Sequence, residues 1–453
     1  MNVTGQIASY VAGTSYDDLP QKTVQYAKKL ALTNMASMLW GSTLPAGRIV
    51  IKFVKDVGGA ADAGVIGGGF KTSLPNAALA NGTFAHAVEW EGDSRPEMVG
   101  AMTLFPVVFP VGEKVSASGA DILAAAIIAH EVQSRMGLAC LTATKRGFFA
   151  VPVFGNFGAA VATAKLLKLD VGQVVHAIGL TASQAAGTIR QHSTMAHFIE
   201  TGFACRNGVT AALVAREGAT SDTNIWEDAK LGIGFGTAAA GDDYHIEKLT
   251  EGLGKEYRTE YIDTKRFPCH SLQQRPLEAA LHLVNEHNIS YKAVESVTVD
   301  VNPATAEEID LANPPDGEHT RVSLQHGIAG ILLKRSAGRE IFTDERLVDP
   351  EFVAARKKVK LVPHPEWPEQ WPEGYDIVTI RLVNGKEHSA RGEDWRGYHK
   401  TPMTVDELIA KYKDASADVL SAGQVDRSIE LLLNLEKLKD ISELMNIVCF
   451  PRR

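Results

Sequence analysis

Apolar residues recur three and four positions apart up to about Tyr261, then alternate singly with polar ones, and return to helical spacing near the end. Pro20 to Leu39 has the helical period and is entered through Asp17-Asp18-Leu19-Pro20. Asn76 to Val88 is alanine-rich and follows a proline, and Asp121 to Met136 puts Ile128, Val132 and Met136 on one face. Val153 to Leu169 and His176 to Gly187 carry small residues at close spacing (Gly155, Gly158, Ala162; Gly179, Ala182, Ala186). Such spacing predicts two tightly packed, buried helices. Beyond Tyr261, Glu295 to Val301 alternates Val297, Val299 and Val301 as a strand does. Asp376 to Glu387 reads as a hairpin with Asn384-Gly385 as a two-residue turn. Pro276 to Glu286 and Ser323 to Leu333 are helical, and the helical period resumes after Thr401-Pro402-Met403-Thr404. The pattern predicts a mainly α protein: a large all-helical domain from residues 1–264 and 401–453, with an inserted α+β domain over 265–400.

The length of 453 residues suits two or three domains. With 45% hydrophobic and 22% charged residues, the chain is neither disordered nor collagen-like nor a membrane protein. Its net charge of −8 argues against nucleic acid or an anionic membrane as partner, since both require a basic field. A local cationic pocket for a small anion stays compatible with it. Cys140, Cys205, Cys269 and Cys449 are far apart and include no C-x-x-C pair, which points to a reducing compartment and away from that kind of zinc site. No signal-peptide pattern opens the chain and no apolar run approaches about 18 residues, so a cytoplasmic protein is expected.

Three clusters carry possible chemistry. Glu89, Glu91 and Asp93, followed by Arg95, come after Asn81-Gly82 and His86. Paired carboxylates divide acid and base roles when their environments differ, and otherwise are solvated loop charges. Arg190, His192, His197, Glu200 and Arg206 read as lying between two helices. Lys265-Arg266-Phe267-Pro268-Cys269-His270 stands where the chain leaves the helical pattern. Each could be a surface patch alone; together they fit a cleft lined by imidazoles and cations. The glycine-rich stretches at Gly67 and Gly232 lack the dinucleotide spacing, Gly-x-Ser-x-Gly is absent, and His130-Glu131 opens no zinc motif and reads as a core histidine.

Ala80-Asn81-Gly82-Thr83-Phe84-Ala85-His86-Ala87-Val88-Glu89 resembles the Asn-Gly-x-x-x-His-x-x-Asp signature of the MmgE/PrpD family. Ser118-Gly119-Ala120-Asp121, Ala182-Ser183-Gln184-Ala185-Ala186-Gly187, Gly202-Phe203-Ala204-Cys205-Arg206-Asn207-Gly208, Lys265-Arg266-Phe267-Pro268 and Pro402-Met403-Thr404 follow in the family's order. The resemblance spans nearly the whole chain. It implies a helical domain with an α+β lid, a homodimer, small carboxylate substrates and no organic cofactor. The implied chemistry is proton abstraction beside a carboxylate, then loss of water or carbon dioxide, or reprotonation.

The departures from that family are local. Its Asp-Phe-Asp-Asp-Thr stretch reads Glu89-Trp90-Glu91-Gly92-Asp93, its His-Pro-Ser reads Val99-Gly100-Ala101, and its Gly-Phe-His reads Gly147-Phe148-Phe149. His197 and His326 stand where the family carries lysine and tyrosine, while Lys265 and His270 are retained. The expected catalytic set is therefore His197, His270, Lys265, Asp93 and Glu89, with His192, Arg206, His326, Trp90 and Phe149 binding substrate. No metal is expected, because the sequence shows no compact His/Cys ligand set. The expected activity is a cofactor-independent lyase of hydratase or dehydratase type, on a substrate other than methylcitrate or cis-aconitate. The alternatives are an isomerase or epimerase of a small carboxylate and a non-catalytic binding homologue.

Overall fold

The structure, a computed structural model, describes residues 1–192, 194–367 and 374–451. The chain forms two compact units, Met1–Ile262 with Thr404–Arg453, and Asp263–Met403.

The first unit is helical. In chain order its main helices are α1 (Val3–Gly13), α2 (Gln21–Gly41), α3 (Pro45–Val57), α4 (Leu74–Ala87), α5 (Phe105–Val115), α6 (Gly119–Ala139), α7 (Ala150–Leu166), α8 (Val171–Ala182) and α9 (Met195–Arg216). Their starts are written locally. Ser118 accepts from the Asp121 amide while Asp121 reaches back to Ser118, and Asp170 and Gln173 do the same for α8. That second box sets α8 five residues earlier than the expected His176, and the helix ends at Ala182, leaving Gly187 (φ +144°) in the turn beyond. There the Gly187 carbonyl accepts from the Phe149 amide, which fixes the start of α7 at Ala150. α7 is buried almost throughout, as its small residues foretell, whereas α8 buries one side only.

α4 and α9 share the most extensive helix–helix contact among the described residues. Glycines make it possible. A methyl group on Gly82 would strike Cys205 and the Gly202 backbone, and one on Gly202 would strike Thr83 and the Leu79 carbonyl. The reading that put His197, Glu200 and Arg206 between two helices is corrected here: all three lie on the 22-residue α9. Its glycines and β-branched residues weaken intrinsic propensity, and burial against α4 and α7 overrides it.

The second unit holds a four-stranded sheet and helices on it. In chain order come α10 (Gln274–Glu286), β1 (Val294–Val301), α11 (Leu324–Lys334), β2 (Val359–Pro363), β3 (Asp376–Leu382) and β4 (Glu387–Gly392), with sheet order β2-β1-β3-β4. β1 runs parallel to β2 (Val297 opposite Val359) and antiparallel to β3 (Val297 opposite Ile380). Val297, Val299 and Val301 face a core that includes Leu277, Ile328, Phe352 and Ile380. The β3–β4 connection differs from the expected two-residue turn. Leu382 donates to the Lys386 carbonyl, so the loop is Val383-Asn384-Gly385, and of the last two only Gly385 is left-handed (φ +85°). This is the three-residue loop with glycine at the bulge position. The chain then returns to the first unit with α12 (Val405–Ser416), capped by Thr404 and Glu407, and α13 (Ala422–Leu433), both packed on α2.

One buried carboxyl makes the first unit's stability pH-dependent. Glu131 on α6 accepts from the Thr259 amide at 3.2 Å and lies 3.7 Å from Arg135. Burial outweighs the guanidinium and pushes its pKa up to about 8. A carboxyl raised in the fold contributes stability fully below its unfolded pKa, near 4.5, and loses it as pH rises through about 8. Melting curves of the wild type and Glu131→Gln at pH 5.5 and 8.5 should therefore diverge. The melting-temperature difference is expected to shift toward the Gln variant at the higher pH by at least about 2 °C.

Candidate active site

α4 ends in a buried histidine. His86 lies one turn beyond Gly82, on the face that meets α9, and its Nδ1 is 2.7 Å from Thr201 Oγ1. His197 stands one turn before Thr201 on the facing side of α9. The close helix approach therefore brings the two imidazoles together, with ring centroids 4.5 Å apart. His192, just ahead of α9, meets His197 edge-on at 4.7 Å.

Carboxylates flank these rings. Directly after α4, Glu89 takes a left-handed backbone (φ +52°), unusual for a side chain of its size, and turns inward. Its Oε1 lies 3.3 Å from His197 Nε2. On the other edge of the same ring, Glu200 Oε1 lies 4.0 Å from Nδ1, while Glu200 Oε2 accepts from the Thr188 amide. Glu91 is buried with Oε1 3.9 Å from His86 Nε2. Aromatic rings close the cluster: Phe149 lies 4.8 Å from His197 and 6.0 Å from His86, and Phe198 lies 5.4 Å and 5.8 Å from the same two rings.

Burial sets the charge states. It lowers the His197 pKa, the neighbouring His86 lowers it further, and the hydrogen bond to Glu89 works in the opposite sense. Glu200 is pushed up to about 7 by burial, with the Thr188 amide holding it back. An imidazole flanked by Glu89 and by Glu200, a carboxyl that titrates near pH 7, is equipped to accept and return a proton.

Other expected site residues have different surroundings. Asp93 pairs with Arg95 at 3.3 Å. Trp90 packs edge-on against Trp40 at 5.5 Å, and Lys411 of α12 donates to its carbonyl and sits over its ring. Arg206 follows His197 by nine residues, half a turn around the helix, and stacks on the exposed Phe203. In the second unit, Lys265 is buried in a turn that Gln274 locks by accepting from the Arg266 and Phe267 amides. His270 accepts from the Leu272 amide through Nδ1 and lies 3.4 Å from Glu308 through Nε2. His326 is fully buried, with Nε2 bonded to the Ile341 carbonyl and Nδ1 to Arg356 among Phe342 and Phe352, a packing role for a residue expected to bind substrate.

His86, Glu91 and Glu200 were absent from the expected site. His86 is the histidine of the Asn81-Gly82 signature itself, and Glu200 falls one helical turn after His197, so spacing on α9 would have found it. The expectation of no metal rested on the lack of a compact ligand set along the sequence. In space, one nitrogen each of His86 and His197 and one oxygen of Glu89 lie within 4.8 Å of one another.

The chain thus has a mainly helical unit that carries two short strand pairs and a buried imidazole–carboxylate cluster, and an α+β unit. The MmgE/PrpD N-terminal domain model matches residues 5–247 and the C-terminal domain model residues 267–437, and the chain belongs to the MmgE/PrpD family. It is 26% identical to a cis-aconitate decarboxylase-like protein of Aspergillus oryzae, over 99% of this chain and 97% of that one. Identity to cis-aconitate decarboxylase is 26% for the Aspergillus terreus protein (99% and 96%) and 24% for that of Mus musculus (99% and 94%). These relatives support an enzyme of lyase type. Among the described residues, no helix is long and apolar enough to cross a membrane.

The Trp90 anchor can be tested. Lys411→Ala removes the ammonium that satisfies a buried carbonyl, and is expected to destabilise the protein by about 1–3 kcal/mol. Chemical denaturation followed by Trp fluorescence measures it; an unchanged midpoint would show that the clamp contributes nothing.

Proposed function

We propose that this protein is a cofactor-independent lyase that removes a proton from the carbon beside a carboxylate of a small organic acid. The observation that carries the reading is the buried His197, with Nε2 3.3 Å from Glu89 and Nδ1 4.0 Å from Glu200. His197 takes the proton, and Glu89 orients the ring and stabilises the imidazolium that forms. The enolate-like intermediate then expels a leaving group. The substrate is neither methylcitrate nor cis-aconitate. Phe149 presses an apolar face on His197 where the family resemblance calls for histidine, and unpaired carboxylates are costly against such a wall. A substrate with fewer carboxylates or a bulkier apolar part suits it.

A second reading, isomerisation or epimerisation, draws on His86 and His197 standing 4.5 Å apart, since one imidazole could take a proton and the other return it. Incubation with a panel of carboxylic acids in deuterated water separates the two. Label with loss of mass supports the lyase, label without it the isomerase, and no exchange by the wild type with any acid favours a binding homologue. Where exchange is seen, His197→Ala should lower its rate by about 10²–10⁴-fold. Lys265→Ala should chiefly raise KM, as expected of a lysine that fixes a carboxylate.

A homodimer, which the family resemblance implies, is also proposed. The Ala/Gly-rich α7 is buried inside the first unit, so it is no argument for a partner. α3 instead exposes Ile49, Phe53 and Val57, one turn apart on one face and each about half accessible. Light scattering should give twice the chain mass of 48.8 kDa at low micromolar concentration, and Phe53→Glu should return it to the single-chain value.

A further inference from the structure

We propose that His86, Glu89 and His197 form a binding site for a borderline divalent cation of the Zn²⁺ kind, and that its occupation blocks the proton chemistry of the same residues. Two imidazoles and one carboxylate are a complete three-ligand set for such an ion, with a further position left for water or substrate. Their ligand atoms already lie within 4.8 Å of one another, and His197 Nε2 and Glu89 Oε1 are 3.3 Å apart. Zinc–ligand bonds of about 2.0–2.2 Å need the ligand atoms slightly over 3 Å apart, so a modest rotation of His86 completes the set.

The surroundings hold the ligands in place. Thr201 Oγ1 engages His86 Nδ1 at 2.7 Å; in the tautomer that donates Nδ1–H to the hydroxyl, the Nε2 lone pair is directed into the cluster. His197 is steadied on its Nδ1 edge by Glu200. Phe149 and Phe198 wall the rings, which lowers the local dielectric and strengthens attraction between the cation and the carboxylates. Glu91 places a second carboxyl group 3.9 Å from His86 Nε2. By contrast, His364 with Asp300 and Glu366 is a grouping at the surface, with His364 and Asp300 only half-buried and Glu366 exposed.

An ion on His197 Nε2 and Glu89 would take away the carboxylate that orients the ring, and its positive charge would oppose formation of the imidazolium, so the two uses exclude each other. The inhibition rests on the proposed function; the binding does not. The full chain, stripped with EDTA and desalted, is titrated with zinc sulfate, and bound zinc is counted by mass spectrometry after gel filtration. One equivalent per chain should be retained by the wild type and by His364→Ala, and lost from His86→Ala and His197→Ala that keep the wild-type circular dichroism. Glu89→Gln, which keeps the shape, and Thr201→Val, which removes only the hydroxyl, should weaken competition against a chromophoric chelator by about 10–100-fold. No retained equivalent in the wild type, or one kept by both histidine variants, overturns the site. One equivalent of zinc should also abolish proton exchange, with EDTA restoring it; stimulation by zinc overturns the inhibitory role. Because zinc is counted without any substrate, a wild type inactive on every acid would sink the proposed function and leave the site to stand or fall by itself.

Discussion

The distance between α4 and α9 governs the chemistry of the first unit. Backbones come this close only where neither helix carries a side chain at the crossing, and Gly82 and Gly202 meet there. One turn from that crossing, His86 and the His197–Thr201 edge face each other across the seam. A larger residue at either glycine would push the helices apart and separate two imidazoles whose contact depends on that spacing. Glycine costs helix stability, roughly 1 kcal/mol relative to alanine, and the buried contact it permits offsets that cost.

The cluster also needs its carboxylates held, because a buried charge tolerates little positional freedom. The segment after α4 is pinned from several sides. Arg258 grips both Glu97 oxygens and the Arg95 carbonyl, Ser134 of α6 adds a bond to Glu97, and Lys411 from the far end of the chain fixes Trp90. Glu89, between these anchors and α4, can then keep a left-handed backbone that an unrestrained glutamate would avoid. The return of the C-terminal segment to the first unit thus bears on the site as well as on the fold.

What could be read in the sequence follows from range. The valine alternation of β1 and the helical periods of α2 and α6 are local signals, and they gave the mainly α class with a β-containing part. The Asn384-Gly385 turn was located, but its type depends on which residue turns left-handed, which the dipeptide alone does not say. α9 was missed because its glycines and threonines are poor helix formers and the stabilising burial is tertiary. With α9 unrecognised, Arg206 and His197 looked like neighbours in one loop, whereas helical geometry sets them on opposite sides. Glu200 was lost for the same reason, since three-residue spacing means contact only on a helix. Trp90 and His326, chosen for their departures from the family pattern, pack against Trp40 and Phe352, and a departure marks a changed environment without saying whether ligand or core changed it.

The same distinction bears on how a divergent member of this family would choose its substrate. On the proposed reading a base needs only an imidazole of suitable basicity and a carboxylate to orient it, which His197 and Glu89 would supply whatever the substrate's outer groups are. Selectivity has to come from what surrounds the pair. Phe149 and Phe198 offer rings and no donors, so each carboxylate brought against them would lose its hydration without a partner in exchange. An apolar wall of this kind rejects highly charged acids more strongly than it attracts apolar ones, because an unpaired buried carboxylate costs several kcal/mol, whereas an extra methylene contributes about 1 kcal/mol. On the proposed reading, therefore, the aromatic substitutions narrow the range of acids chiefly by exclusion, and the proton-transfer pair needs no change to serve a different substrate.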